Sequence, residues 1–258
     1  MLITVLTPTY NRASLLNDAY QSLSKQTYID FEWLIIDDGS QDDTEVVAGE
    51  MQKYSSFPIR YYKKKNGGKH TALNVGVKNA KGELIVMLDS DDELMSDALQ
   101  KIAEVYDTVK DDSSFGGVCG VMAHRNGKLI SSLPNDGYLD CNEVDARYKY
   151  HITGDLCEVF RTSVFREFPF PEIPGEKFCP EALVWHRIAR KYKLRFFNEV
   201  IYIRDYLEGG LTSKIVKIRR ESPKASRIYY RELLQLDIPW KYKMRGLLNL
   251  IRYTINVI

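Results

Sequence analysis

Long apolar runs are missing from this 258-residue chain, and no stretch of about 18 consecutive apolar residues is available to cross a bilayer. Residues 1–6 have neither a basic segment nor a long apolar segment, so we interpret them as a first strand and not as a signal peptide. We therefore expect a cytoplasmic protein, whose contact with a membrane would be peripheral and on the inner face.

Motifs for metal binding by cysteine and histidine, and for covalent catalysis, are equally scarce. The 4 cysteines form no C-x-x-C pair, and the 4 histidines have no metal-ligand spacing. The chain contains no Walker phosphate loop and no nucleophile elbow. These absences argue against zinc sites, thiol redox chemistry and covalent hydrolases, and they indicate a reduced, intracellular protein.

An overall excess of either charge is also absent, but the charges are unevenly distributed. The formal net charge of +1 argues against a general nucleic-acid-binding protein. Residues 213–258 nevertheless carry 11 Lys and Arg against 3 Asp and Glu, so the preceding residues are net acidic. We expect any anionic partner to bind this C-terminal tail.

The chain does contain four alternations of apolar strand and amphipathic helix. The predicted strands are residues 2–7, 31–36, 59–63 and 84–88. Such alternation with short connections predicts an α/β fold with a parallel sheet and helices on both faces. Pro8 is expected to end the first strand, and strands near residues 195–197 and 201–206 are expected to complete the sheet. Ligands of such sheets bind beyond the carboxyl ends of the strands.

Three aspartates directly follow the fourth predicted strand. Asp89, Asp91 and Asp92 are so close that their carboxylates keep their charge most easily with a cation between them. The functional interpretation is a divalent metal bound through Asp oxygens. Residues 90–93 also fit a helix-capping box, so the pattern alone leaves both interpretations open.

Two other strand ends carry groups suited to a nucleotide. Asp38 precedes the tight-turn residue Gly39, and its carboxylate can accept a base imide N–H or hold a ribose hydroxyl. Turn chemistry ahead of a helix explains Asp38 equally well. Lys69 follows the pair Gly67 and Gly68, and a flexible basic loop of this kind suits a diphosphate.

Glu181 begins the helix predicted for residues 180–192, with Trp185 on roughly the same face. A carboxylate beside an aromatic surface can be partly desolvated and act as a general base. A simpler explanation is that the helix dipole favours an acidic residue in the first turn.

The segment after Pro239 has the pattern of an amphipathic helix. Its apolar face comprises Trp240, Met244, Leu247, Leu248, Ile251, Ile255 and Ile258, opposite Lys241, Arg245, Asn249, Arg252 and Asn256. Such a helix can lie on an anionic membrane surface. Packing against the main domain would explain the pattern equally well.

Four segments together resemble the motifs of family-2 glycosyltransferases with the GT-A fold, a Rossmann-like, mostly parallel sheet. They are residues 8–12 (PTYNR), 37–44 (DDGSQDDT), 74–83 (NVGVKNAKGE) and 88–92 (LDSDD), in the family's order and spacing. The resemblance implies that Asp89 and Asp91 form a D-x-D motif that holds ribose and a divalent metal, Mn²⁺ or Mg²⁺. The nucleotide-sugar-binding residues that it implies are Pro8, Tyr10, Arg12, Asp38, Lys69, Asp89, Ser90 and Asp91.

The second half of the chain resembles the family less closely. The family often carries Glu-Asp-x-x-x-Trp-x-Arg, with the Asp as base, whereas here Pro180 and Glu181 stand in place of the two acids. Glu181 therefore takes the position of the base. The acceptor-side residues implied are Asp92, Asp155, Trp185 and Arg187. The implied organisation is a catalytic domain at 1–212, divided into a nucleotide-sugar half (1–110) and an acceptor half (111–212), with a basic helical tail at 213–258.

The resemblance implies an inverting, metal-dependent enzyme that moves a sugar from a nucleotide sugar, most simply a UDP-sugar, to a hydroxyl group. The acceptor would be a glycan or a polyprenyl-diphosphate-linked oligosaccharide of the cell surface. Two alternatives stay open at this point. A non-catalytic nucleotide-sugar-binding module would not use Glu181, and a sugar nucleotidyltransferase would release pyrophosphate instead of UDP.

Overall fold

A nine-stranded sheet forms the centre of the computed structural model, which describes residues 2–134, 136–205 and 215–255. The strands are β1 (Ile3–Thr9), β2 (Phe31–Asp37), β3 (Ile59–Lys63), β4 (Leu84–Met87), β5 (Glu93–Leu94), β6 (Phe115–Ala123), β7 (Tyr138–Cys141), β8 (Leu156–Arg161) and β9 (Lys193–Ile203). Their spatial order is β3-β2-β1-β4-β8-β6-β9-β5, with β7 paired to β9.

Helices cover both faces of this sheet. They are α1 (Leu16–Ser24), α2 (Thr44–Tyr54), α3 (Lys69–Asn79), α4 (Ala98–Asp107), α5 (Glu143–Tyr148), α6 (Thr162–Glu167), α7 (Glu181–Ala189), α8 (Ile215–Glu221), α9 (Pro223–Leu233) and α10 (Trp240–Ile255). Leu16 of α1 and Leu99 of α4 belong to one hydrophobic core, whereas Leu73 of α3 and Leu183 of α7 belong to the other. The predicted α/β fold with helices on both faces is confirmed.

The parallel arrangement predicted for the first four strands is present. β1 pairs in parallel with β2 and β4, and β2 pairs in parallel with β3. Every residue of β1 and β2 is buried, as expected of strands that are covered on both faces. The carboxyl ends of these strands therefore lie along one edge of the sheet.

The second half of the sheet is largely antiparallel. β8 lies antiparallel between β4 and β6, and β5 and β7 both pair antiparallel with β9. The two strands expected near residues 195–197 and 201–206 are one continuous strand, β9, whose register on β6 shifts at several points. Residue 206 lies outside the described residues.

The expectation that Pro8 ends the first strand is wrong, because β1 continues through Pro8 to Thr9. The Leu88 amide donates a hydrogen bond to the Leu6 carbonyl, so the backbone N–H and C=O groups of Leu6 point toward β4. From Leu6 onward, those of every second residue of β1 point the same way. The backbone nitrogen of Pro8 also points to the β4 side, but β4 has already ended at Met87. The N–H that proline lacks is therefore not needed at this position.

The C-terminal helices pack against the domain. Tyr230 and Leu233 of α9 and Tyr253 of α10 form a small core with Val144 of α5. Within the described residues, no helix combines the length and the apolar character that spanning a bilayer requires. Asn256 and Ile258, which belong to the predicted amphipathic pattern, lie outside the described residues.

His186 lies at this junction, stacked on Tyr229 with 5.7 Å between the ring centroids. Burial, with the neighbouring positive charges of Arg190 and Arg147, lowers the pKa of His186 to about 4. As the pH falls, His186 becomes protonated in the unfolded chain at a higher pH than in the folded protein. Protonation therefore favours the unfolded state, and the stability contributed by neutral His186 is complete above about pH 6.5 and is lost toward about pH 4.

We expect the free energy of unfolding of His186→Asn to decrease less over this pH range than that of the wild type, by about 3 kcal/mol at most. Urea denaturation at about pH 7 and about pH 4.5 measures the difference. His151→Asn is the control, because His151 is exposed and asparagine tolerates its positive φ of 57°. Equal losses in the wild type and in His186→Asn would contradict the assignment.

Candidate active site

A cleft of about 820 Å³ lies at the carboxyl edge of the parallel strands. All eight predicted nucleotide-sugar-binding residues line it, namely Pro8, Tyr10, Arg12, Asp38, Lys69, Asp89, Ser90 and Asp91. Other lining residues come from a loop before α7 and from α8 and include Lys177, Phe178 and Ile218. The loop before α7 carries no motif that predicts its contribution, whereas α8 belongs to the basic tail that was expected to bind an anionic partner.

Asp38 is buried and organises the loop that leads from β3 to α3. Its Oδ1 accepts hydrogen bonds from Lys64 Nζ at 2.6 Å and from the Gly67 amide at 2.9 Å. Its Oδ2 accepts hydrogen bonds from the Gly68 amide at 2.6 Å and from Asn66 Nδ2 at 3.2 Å. The carboxylate therefore fixes the basic glycine loop in the cleft wall.

Gly68 has a φ of +96°, and a Cβ placed on it would lie 2.0 Å from the Lys177 carbonyl oxygen. We expect Gly68→Ala to lose clearly more stability than the roughly 1–2 kcal/mol that a left-handed residue costs on conformation alone. Gly127→Ala is the matched control, because Gly127 has a φ of +83° with nothing within 4 Å. Denaturant unfolding compares the two variants, and equal losses would mean that the Lys177 contact is unimportant.

Lys69 joins two of the predicted site carboxylates. Its Nζ lies 2.7 Å from Asp89 Oδ1 and 2.9 Å from Glu181 Oε1. Burial opposes the charge of Lys69, but Asp89 and Glu181 outweigh it and raise the pKa of the ammonium group. Burial likewise opposes the charge of Asp89, and Lys69 outweighs it and lowers the pKa of that carboxylate. The predicted base and the first aspartate of the D-x-D motif therefore share one cation.

Asp91 carries the second carboxylate of the D-x-D motif, and its Oδ2 lies 3.0 Å from Arg12 Nη1. No group of three His, Cys, Asp or Glu side chains suited to a metal ion occurs in the described part of the chain. Mg²⁺ commonly binds one or two carboxylates and takes its other ligands from substrate phosphates and water. Asp89 and Asp91, both partly exposed in the cleft, fit that smaller ligand set.

Two of the four predicted acceptor-side residues line a common cavity. Asp155 and Trp185 line a second cavity of about 380 Å³, which Glu181 also borders. Asp92 is buried beneath the cleft, where it accepts a hydrogen bond from Tyr202 at 2.8 Å; burial, reinforced by Asp89, raises its pKa to about 7. Arg187 instead binds Glu232 of α9 through two hydrogen bonds of 2.7 and 3.1 Å.

The two cavities meet at the Lys69–Asp89 ion pair. Lys69, Asp89 and Arg204 line both of them. The second cavity is also lined by Glu143, Arg147 and Glu158, which sequence reasoning did not identify. Glu143 and Arg147 have the i,i+4 spacing of a helical ion pair, but nothing in the sequence relates them to Glu158.

Comparison with known proteins agrees with this geometry. The family model described as Glycosyl transferase family 2 matches residues 4–167, which is more than half of the chain. A GalNAc(5)-diNAcBac-PP-undecaprenol beta-1,3-glucosyltransferase of Campylobacter jejuni is 30% identical over 73% of this chain and 60% of its own length. An uncharacterised glycosyltransferase of Mycoplasma pneumoniae is 39% identical over 94% of this chain and 74% of its own length.

Several of these relatives are longer proteins. An uncharacterised glycosyltransferase of Rickettsia felis is 29% identical over 98% of this chain but over only 37% of its own length. The chain therefore spans between about 37% and 60% of the first three curated relatives that it matches.

Solved structures show the same fold at low sequence identity. S. aureus TarS 1–349 in complex with UDP-GlcNAc superimposes with a TM-score of 0.71, at 21% identity over 98% of this chain and 72% of that one. The mannosyltransferase PcManGT from Pyrobaculum calidifontis, in complex with GDP-Man and Mn²⁺, superimposes with a TM-score of 0.62. The sequence identity is 17%, and the match covers 98% of this chain and 73% of that one. The fold is that of the GT-A glycosyltransferases, and with its matching family model the chain belongs to glycosyltransferase family 2.

Proposed function

We propose that the protein is an inverting glycosyltransferase that moves a sugar from a UDP-sugar to an acceptor hydroxyl. The observation that carries this proposal is the ion-pair bridge in which Lys69 contacts both Asp89 and Glu181 where the two cavities meet. One cavity has the acidic and basic groups suited to a nucleotide diphosphate, and the other is bordered by a carboxylate suited to receive a proton.

The larger cavity is the proposed donor site. Asp89 and Asp91 would hold Mn²⁺ or Mg²⁺ together with the donor diphosphate, and Lys69 and Arg12 line the same cavity with positive charge. When bound, the metal supplies electrostatic stabilisation of the negative charge on the departing diphosphate. TarS, solved with UDP-GlcNAc, supports a UDP-sugar, and PcManGT, solved with Mn²⁺, supports the metal.

Glu181 is the proposed general base. Its carboxylate would take the proton of the acceptor hydroxyl as that oxygen forms a bond to the anomeric carbon. The bond between the anomeric carbon and the diphosphate oxygen breaks at the same time, and UDP leaves with the electron pair. Attack from the face opposite the leaving group inverts the configuration of the sugar.

The products of the reaction test this proposal against its two alternatives. The purified protein is incubated with Mn²⁺, single UDP-sugars and lipid-linked or free oligosaccharide acceptors, and the products are separated by chromatography. We expect free UDP and a lengthened acceptor. Pyrophosphate in place of UDP would identify a sugar nucleotidyltransferase. Binding of the nucleotide sugar with neither product, across acceptors, would identify a binding module.

A membrane-facing role is proposed for α10, because it presents different residues to the protein and to solvent. Gly246 and Tyr253 are buried against α9, and Tyr242 and Leu250 pack beside them. An apolar stripe on the opposite side of the helix is exposed, and its members are Trp240, Met244, Leu247, Leu248, Ile251 and Ile255. Lys241, Arg245 and Arg252 flank this stripe, so an anionic bilayer surface is its proposed partner.

The proposed acceptor follows from the same surface. A lipid-linked oligosaccharide lies at the bilayer surface, and the Campylobacter relative is named for a PP-undecaprenol-linked substrate. We therefore propose a polyprenyl-diphosphate-linked glycan as acceptor and a peripheral position on the inner face of the membrane. In this proposal residues 1–212 form the catalytic domain and residues 213–258 form its membrane-facing appendage.

The double variant Leu248→Asp/Ile251→Asp is expected to reduce binding to vesicles that contain phosphatidylglycerol at least about tenfold, because each buried apolar side chain contributes about 1.5–3 kcal/mol. Co-sedimentation with phosphatidylcholine vesicles, with and without phosphatidylglycerol, measures the binding. Asn249→Asp is the control, because it also adds a negative charge, at a position between 248 and 251 in sequence that does not belong to the exposed apolar stripe. Unchanged sedimentation of the double variant would exclude the membrane role.

A further inference from the structure

The second cavity has the size and position of a binding site for a single sugar ring. Its volume of about 380 Å³ falls in the range of small-molecule pockets. Glu181 borders it, and it shares Lys69, Asp89 and Arg204 with the donor cleft. A ligand in this cavity would therefore lie beside both the proposed base and the proposed donor site.

An incompletely paired group of two acids and one base lines the cavity. Glu143 is 6% exposed; its Oε1 accepts a hydrogen bond from Arg147 Nε at 2.7 Å, while its Oε2 has no hydrogen-bond partner among the described residues. Glu158, on the central strand β8, is 7% exposed and lies 3.7 Å from Arg147 Nη2. A second hydrogen bond of Arg147 goes to the Gly154 carbonyl.

Such a group is costly to the fold. A buried carboxylate oxygen without a donor loses its hydration and gains nothing in return, and two acids compete here for one arginine. An apolar side chain at position 143 would leave no carboxylate oxygen unpaired. The arrangement is explained if a ligand supplies the missing hydrogen-bond donors.

Aromatic side chains complete the lining. Tyr148, Trp185 and Tyr229 all border the cavity. The C–H face of a sugar ring packs well on aromatic rings, while its hydroxyl groups need partners at the ring edge. Carboxylates beside aromatic rings therefore match a sugar better than they match a purely apolar or a purely ionic ligand.

We infer that the cavity is the subsite for the terminal, uncharged sugar ring of the acceptor, with Glu143 and Glu158 accepting hydrogen bonds from hydroxyl groups of that ring. This inference rests on the proposed function, because it assigns the hydroxyl that Glu181 deprotonates to a ring held by Glu143 and Glu158. It adds a substrate class, since the subsite selects a neutral sugar with free hydroxyls and not a phosphorylated or acidic one.

The directions of the pKa shifts in the cluster agree with a neutral ligand. Burial raises the pKa of Glu143 and, well above its usual range, that of Glu158, while Arg147 acts in the opposite direction on both. Both shifts favour the protonated form of the acid, and a protonated carboxyl group donates a hydrogen bond as well as accepting one. A group of this kind can both donate to and accept from sugar hydroxyls.

Saturation-transfer NMR with simple sugar probes tests the subsite. The probes are the methyl glycosides of glucose, galactose and their 2-acetamido analogues, each added to the full chain with UDP and Mn²⁺. We expect at least one probe to bind the wild type, and Glu143→Gln and Glu158→Gln to raise its dissociation constant at least about tenfold. Ala182→Leu, which fills the cavity from α7 without removing a charge, is expected to have the same effect.

The controls separate this inference from the proposed function. Glu32→Gln also removes a buried acid that is paired with an arginine, Arg60 at 3.0 Å, but it lies outside the cavity and is expected to leave probe binding unchanged. The rise in melting temperature caused by UDP reports donor binding independently, and it is expected to be equal in all variants. A wild type that binds no probe, or variants that all bind like the wild type, would overturn the subsite even if UDP binds and sugar is transferred.

Discussion

Glu181→Gln is expected to lower the turnover number roughly 100- to 10,000-fold, the range that general bases contribute. Glutamine keeps the size of the side chain and a hydrogen-bond acceptor for Lys69, but it cannot take the proton of the acceptor hydroxyl. Binding of UDP, measured by the rise in melting temperature, is expected to change little, because Lys69 keeps its 2.7 Å contact with Asp89. Initial rates of UDP release under saturating substrates measure the turnover number.

Glu167→Gln is the control for this experiment. Glu167 pairs with Lys191 at 2.7 Å on the surface, away from both cavities, so we expect full activity from that variant. The role of Glu181 would be refuted by a Glu181→Gln enzyme that turns over within about threefold of the wild type, since removing a general base costs much more.

Asp38→Ala is expected to reduce the free energy of unfolding by about 3–5 kcal/mol, the usual cost of removing one partner of a buried ion pair. The substitution leaves the ammonium of Lys64 without its 2.6 Å partner and the amides of Gly67 and Gly68 without their acceptor. Because this loop forms part of the cleft wall, UDP binding is expected to weaken together with stability. Urea denaturation measures the first effect and thermal shift with UDP the second.

Asp43→Ala provides the comparison. Asp43 is exposed and makes no capping hydrogen bond to α2, so its loss is expected to change stability by no more than about 0.5 kcal/mol. If Asp38→Ala also fell within that range, the loop would not depend on Asp38. If stability fell but UDP binding did not, Asp38 would have a structural role only.

The half of the site at the ends of the parallel strands was predictable because its information is local. Each of the residues Asp38, Lys69 and Asp89 follows a buried strand or begins a helix, and parallel strands bring such ends to one edge of the sheet. The structure brings all eight predicted residues into one cleft for that reason.

The second half was less predictable because its information is long-range. The insertion of β8 between β4 and β6, in the opposite direction, is set by pairing between segments far apart in sequence. Arg204 reaches Asp155 at 3.0 Å, and Arg147 lies 3.7 Å from Glu158 on the distant strand β8, contacts with no periodic pattern in the chain. The sequence could not reveal a cavity built from such pairs.

The C-terminal tail could be predicted only in part, for a different reason. Amphipathic spacing left membrane contact and packing against the domain as equal alternatives, and one of them, packing, is present in the structure through Gly246 and Tyr253. Small and aromatic residues on that face do not stand out in a pattern of apolar spacing. The strongly apolar side chains that produced the pattern, such as Leu248 at 66% exposure, lie on the other face.

Because Asp89 and Glu181 share the ammonium group of Lys69, binding of the donor would be coupled to the release of Glu181. Diphosphate oxygens arriving at Lys69 would compete with Glu181 for the same three N–H donors. The proton acceptor would then become fully available only after the donor has loaded, so that an early-arriving acceptor waits for its co-substrate. Under the proposed mechanism, a loaded donor would thus be a precondition for deprotonation of the acceptor.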